Sequence, residues 1–229
     1  DTGGPTFNFS GQLSGISDQT AISGTFEFTE MPFDDLKNYW PDTLMTNARS
    51  WILGNVFDGV LSNFTVDFDI KPGEIDLVQS GARPNAIDVD FSFRDATVNY
   101  FPEQPYAFGV DGEGHVDGAS LSMNMRDGTI ENMYAPSGVA LITDLMLDSA
   151  MLTIIANVEG PADNAISLLD GPRFGYPSKM GLKGEQFSGH VIAEMGVQLP
   201  FRSDVTFEEV QFAAVARLDD LNVRDLFGD

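Results

Sequence analysis

Apolar and polar residues alternate with a period of two over much of this chain. In VLSNFTVDFDI (60–70), Val60, Phe64, Val66, Phe68 and Ile70 fall on one side, with Asn63, Thr65, Asp67 and Asp69 on the other. AIDVDFSF (86–93) repeats the scheme, setting Ile87, Val89, Phe91 and Phe93 against Asp88, Asp90 and Ser92. Further on, Phe187, Val191, Ala193, Met195 and Val197 share a face, and so do Val210, Phe212, Ala214, Ala216 and Leu218. A two-residue period marks strands with one face buried. Turn-forming pieces such as Lys71-Pro72-Gly73, Asp111-Gly112 and Arg126-Asp127-Gly128 separate the strands at short intervals. The pattern predicts a mainly β fold, an antiparallel sheet apolar on one face and acidic on the other; a long curved antiparallel sheet with the apolar face concave is the form of it that would leave a trough.

One segment breaks the period. NYWPDTLMTNARSWILGNV (38–56) holds both tryptophans, and Leu44, Ala48, Trp51 and Ile52 recur there at the spacing of one helix face. A helix is expected over 41–54, with Pro41 in its first turn and Gly54-Asn55 as its stop. Leu44, Ala48, Trp51 and Ile52 are expected to press on the apolar face of the sheet as a cap or plug, and Trp40, next to the helix start, should matter less than Trp51 if it lies at a rim. A second, short helix is expected near 162–169, after Pro161 and before Gly171-Pro172. No low-complexity linker divides the chain, so 1–229 reads as a single β-rich domain.

Charge changes the picture more than length does. Against 12 basic residues stand 35 acidic ones, a formal net charge of -23. A field of that sign repels phosphate backbones and excludes nucleic acid as a partner. It also argues against docking on anionic headgroups through a basic patch. Cysteine is absent, which removes disulfides, thiolate metal sites and cysteine nucleophiles. There is no run of 18 or more apolar residues, and the first residues do not resemble a signal peptide.

Catalytic signatures are missing: no G-x-S-x-G, H-E-x-x-H, P-loop or G-x-G-x-x-G occurs. Adjacent acids such as Glu208-Glu209 carry no signal in so acidic a chain, and two matches to the glycosylation sequon, at Asn8 and Asn63, arise easily by chance. The best metal candidate is DGEGHVDG, in which Asp111, Glu113, His115 and Asp117 alternate onto one face. The spacing fails the EF-hand pattern, with Glu113 and His115 at the third and fifth positions and Ser122 at the twelfth. A solvated acidic face is the reading that follows, with no enzyme activity, no cofactor and no metal expected. What remains is the apolar face, either sealed as a core or left partly open as a trough for acyl chains. The trough candidates are Phe64, Val66, Phe68, Ile70, Val89, Phe91, Phe93, Val191 and Met195.

Several short motifs, in order, carry a resemblance. Tyr39-Trp40-Pro41 is followed by Arg49, Trp51 and Gly59 ahead of an alternating strand. Asp95-Ala96-Thr97-Val98 leads to Tyr100 and Pro102. Leu169-Asp170, Pro172, Gly175-Tyr176, Lys179-Met180-Gly181-Leu182 and Ser188-Gly189 come next. This series resembles the AsmA-like domain family of Gram-negative envelope proteins, the YhdP and TamB relatives, over about residues 10 to 225. The resemblance implies a bridge-like lipid carrier whose β-modules form a groove lined with apolar side chains. It implies phospholipid acyl chains as the cargo, moved between inner and outer membrane, with envelope protein partners unspecified. It also implies a periplasmic location, and an inner-membrane anchor lying outside this sequence. No catalytic residues come with the family. The alternative is a non-catalytic structural or assembly scaffold of the outer-membrane envelope.

Overall fold

The alternating segments join into one sheet. A computed structural model of the chain describes residues 5–15, 19–42, 46–79, 86–101, 104–145, 147–171, 175–202 and 204–224. The strands are β1 (Phe7–Ser14), β2 (Ala21–Pro32), β3 (Val56–Phe57), β4 (Val60–Ile70), β5 (Ile87–Val98), β6 (Ala107–Asp117), β7 (Ser120–Arg126), β8 (Gly128–Ile130), β9 (Met133–Thr143), β10 (Met151–Pro161), β11 (Phe187–Pro200) and β12 (Gln211–Val223). The helices are α1 (Thr46–Asn55), α2 (Ile75–Gln79), α3 (Ala162–Leu169) and α4 (Tyr176–Lys179). The hydrogen-bonded order is β1-β2-β4-β5-β6-β7-β9-β10-β11-β12, with β3 beside β5 and β8 between β6 and β9. Every described pairing is antiparallel.

Register turns the alternation into rows that cross the whole sheet. Phe9, Phe26, Val66, Val89, Val116, Leu121, Ile142, Leu152 and Leu199 are successive cross-strand partners. A parallel row runs Phe91, Gly114, Met123, Ala140, Ile154, Val197 and Phe212. Where β6 offers glycine, an aromatic ring fills the space. A Cβ on Gly114 would meet the Phe91 ring, and one on Gly112 would lie 2.5 Å from Phe93 Cζ. The apolar face is thus continuous from β1 to β12.

Bulges correct one assignment. Val60 does not share the face of Phe64, because the β4–β5 register shifts between Ser62 and Thr65, where Asn63 adopts φ 49. The extra residue flips the side-chain parity, so Leu61 joins Phe64 on the apolar side and is 3% exposed. Asp95, at φ 57, does the same on β5, and brings Ala96 inward.

The sheet curls. β4 and β11 stand six steps apart in the order, about 29 Å if the sheet were flat. Yet α1 reaches both sides. Ile52 and Leu53 pack against the cluster that holds Leu61 and Phe93, while the Trp51 ring lies 5.2 Å from that of Phe201, just past β11. A helix about 10 Å wide bridges such a distance only where the sheet wraps around it. The apolar face is therefore the concave one, and α1 lies in it.

The helix differs from its expected bounds. It is described from Thr46 to Asn55, so Pro41 stands ahead of it, and Gly54 and Asn55 belong to its last turn. Asn55 Nδ2 donates to Trp51 O at 2.9 Å before the chain passes directly into β3. A 3-10 helix over Phe33–Asn38 takes the first part of the loop, burying Phe33 and Leu36. Leu44 and Pro172 lie outside the described residues, as does Pro102. The short helix near 162–169 is present as α3.

Candidate functional site

The concave face divides into three zones by what covers it. Under α1, Ala48 joins the main core of Val89, Val116, Leu121, Ile142, Leu145 and Leu152, all buried. Arg49 fixes the helix there, its Nε donating to Trp40 O at 3.0 Å and Nη2 pairing with Asp42 at 2.7 Å. Trp40 is half-buried and packs against both large clusters, so the condition under which it would matter less, a place at the rim, is not met. At the far ends of β9 to β11, α3 lays Ala165 and Leu168 over Met133, Val158, Val191 and Ala193. Between these covers runs a band of half-buried side chains, among them Phe64, Phe91, Met123, Met125, Ile154, Met195 and Val197.

The trough candidates fall into two groups. Phe64, Val66, Phe68, Ile70, Phe91 and Met195 are half-buried, whereas Val89, Phe93 and Val191 are buried in the packed core. Of the helix residues, Ala48 is buried, while Trp51 and Ile52 are half-buried. One aromatic wall escaped the alternation analysis. Tyr39, Phe7, Phe26 and Phe28 form a run of ring contacts, and Phe28 stacks on Phe64 with centroids 4.5 Å apart. Phe9, 58% exposed, stacks on Phe68 across β2, where Gly24 carries no side chain. Phe7 and Phe9 follow the two-residue rule, but β1 was too short a signal beside the longer strands.

The convex face carries the acid. Asp67, Asp88 and Asp117 are direct cross-strand partners, a row of like charges. His115 lies beside it, with Nδ1 2.8 Å from Asp90 Oδ1 and Nε2 3.8 Å from Asp88 Oδ2. The Asp90 hydrogen bond holds the imidazole above its ordinary pKa, with Asp88 adding to it. The side chains brought together are therefore Asp88, Asp90 and His115. Asp111 is engaged elsewhere, accepting from the Asp95 backbone N–H at 2.9 Å. The convex face is not acidic throughout: Val139 and Ile155 are cross-strand partners there, each 48% exposed.

A cleft of about 500 Å³ opens at the rim of the sheet, lined by Gln104, Pro105, Tyr106, Glu131, Ser167, Leu168 and Gly171. No sequence signal marked it, because its residues come from the β5–β6 connection, the β8–β9 turn and α3. Beside it, burial pushes the Tyr100 phenol up to about 12, and the Glu131 charge acts in the same direction.

A single open-edged antiparallel sheet with an apolar concave face and a helix lying in it defines the class of fold. The family described as YhdP protein matches residues 6–214, and the chain belongs to that family, placing it with AsmA/YhdP-like envelope proteins. No curated protein and no solved structure matches it. The motif residues behind the resemblance do structural work. Arg49 ties α1 to Trp40, Gly59 takes φ +63 where a Cβ would lie 2.5 Å from Arg94 O, and Asp170 accepts from the Ser178 backbone N–H at 2.9 Å. Among the described residues no helix is long and apolar enough to cross a membrane.

Proposed function

We propose that this chain is a segment of a non-catalytic phospholipid conduit in the periplasm, with acyl chains lying on the concave face. The observation that supports this reading most is the half-buried apolar band between the covers of α1 and α3. A sealed core would have closed it, since leaving large apolar side chains in water forfeits about 25 cal/mol per Å². An acyl chain lying along Phe64, Phe91, Met123 and Ile154 recovers that burial without needing any polar partner. The methionines suit such a role, because their unbranched side chains adapt to a cargo of varying shape. The passage between inner and outer membrane, and the anchor beyond this sequence, belong to the same proposal.

The test is mass spectrometry of the purified protein. Co-purifying phospholipid, lost when Met123 and Ile154 are both changed to Asp in a protein that still folds, supports the conduit. A lipid-free protein that also takes up none from vesicles leaves the envelope scaffold as the better reading.

A further inference from the structure

We propose that the rim cleft binds the ammonium-bearing head of a zwitterionic phospholipid, while its acyl chains lie on the concave face. This rests on the conduit reading and names the class of lipid within it. The cleft joins two environments. On one side Leu168 belongs to the apolar cluster under α3, continuous with the concave face. On the other stand an amide, a phenol and a carboxylate.

Gln104 is the residue that calls for a ligand. It is 7% exposed, and its Nε2 has no hydrogen-bond partner. It lies against Gly171, where an added Cβ would come within 2.8 Å of Nε2, so the glycine makes the space the amide occupies. A buried donor left unpaired is costly, and since Nε2 is closed to solvent where it stands, an acceptor relieves that cost by entering the cleft and drawing the amide round toward it. A phosphate oxygen or an ester carbonyl is such an acceptor. Glu131 supplies the opposite preference. It is exposed in the turn before β9, held at φ 52, and makes no ion pair among the described residues. Tyr106, 41% exposed in the same cleft, offers an aromatic face. Carboxylate and aromatic together favour a cationic group. The net charge of -23 works in the same sense, against a lipid whose head is anionic. Amide donor, carboxylate and apolar floor in one cleft match a head that carries both phosphate and ammonium on an acyl body.

Binding of phosphatidylethanolamine, phosphatidylglycerol and diacylglycerol with the same acyl chains, measured by native mass spectrometry, tests this. The phosphatidylethanolamine is expected to bind best. Glu131→Gln, an exposed change, should cut its advantage over phosphatidylglycerol by up to about fivefold, the upper end for an exposed ion pair. Gln104→Leu should narrow the advantage of both phospholipids over diacylglycerol. Equal binding of both phospholipids by the parent and by Glu131→Gln overturns the head site and leaves the conduit standing. No binding of any of the three overturns the conduit as well. Protection by soluble phosphoethanolamine at concentrations equal to the lipid would assign the cleft to a soluble ligand and overturn the lipid assignment.

Discussion

Gly114 has a ring where its side chain would be. Its Cβ position is filled by Phe91, its cross-strand partner, so Gly114→Val forces the aromatic off its site in a strand that cannot yield. We expect a loss of about 1–3 kcal/mol, read as a lower urea midpoint with unchanged slope. An unshifted midpoint would mean that Phe91 has free space elsewhere. His115 makes a prediction of the opposite kind, at the surface. Its folded pKa is raised, so its pairing with Asp90 stabilises fully below the unfolded value of about 6.5 and fades as pH rises through the folded value. His115→Gln should therefore destabilise more at pH 5.5 than at pH 8.5, by thermal melts at low salt, where the Asp67–Asp88–Asp117 row is least screened. Equal effects at both pH values would sink the pairing. At this scale the sequence was legible wherever alternation ran unbroken, as from Ile87 to Phe93. It misled at Val60, because Asn63 enters the left-handed region readily yet looks like an ordinary outward polar position.

Helix α1 shows what periodicity can and cannot deliver. Of the stripe Leu44, Ala48, Trp51 and Ile52, Ala48 is buried, Trp51 and Ile52 are half-buried and Leu44 lies outside the described residues, while the start of the helix was misjudged. Pro41 is a good first-turn residue in isolation, yet the Phe33–Asn38 turn and the Arg49 bond to Trp40 O set the loop that precedes the helix. Tertiary contacts outweighed the local signal. Since Trp51 touches Phe201 across the curl, Trp51→Ala should cost about 3 kcal/mol, the low end for truncating a large aromatic because the ring is half-buried. A melting point that does not move would show that α1 contributes nothing to holding the curl. The connection from β11 to β12 is latched separately. Glu209 accepts from the Thr206 backbone N–H at 3.0 Å and from its hydroxyl at 2.9 Å, and pairs with Arg202. Those bonds, the backbone one first, hold its carboxyl down to about 2. A depressed carboxylate stabilises above its unfolded pKa and loses that contribution as pH falls through the folded value. Hydrogen exchange at the Thr206 amide should accelerate, relative to its intrinsic rate, between pH 4.5 and pH 2 in the parent. Glu209→Gln should abolish that pH dependence, and a parent profile that tracks the intrinsic rate would remove the latch.

Over the whole molecule, the concave face is tested most sharply at Phe68. It is half-buried and stacks on Phe9 near an edge, away from the α1 cover. Phe68→Asp there leaves the carboxylate water on one side, so we expect a modest loss of about 1–2 kcal/mol together with a fall in bound phospholipid. Loss of the fold, in a parent that carries no lipid, would make the face an ordinary core. The mainly β architecture was readable from the strand periods. The cleft was not, since three distant segments meet there; the helix that holds Leu168 was expected, but nothing in the sequence brings it to Gln104 and Glu131. The row of Asp67, Asp88 and Asp117 has a consequence of another sort, for orientation. Charge concentrated on one side of a curved plate makes the molecule's approach to any negatively charged bilayer depend on its heading. Within about 8 Å, the reach of the field at physiological salt, the convex side is pushed back. The connections at the strand ends carry exposed acids of their own, Asp34, Asp35, Asp144 and Asp163 among them, so of the molecule's surfaces the apolar face is the one such a bilayer repels least.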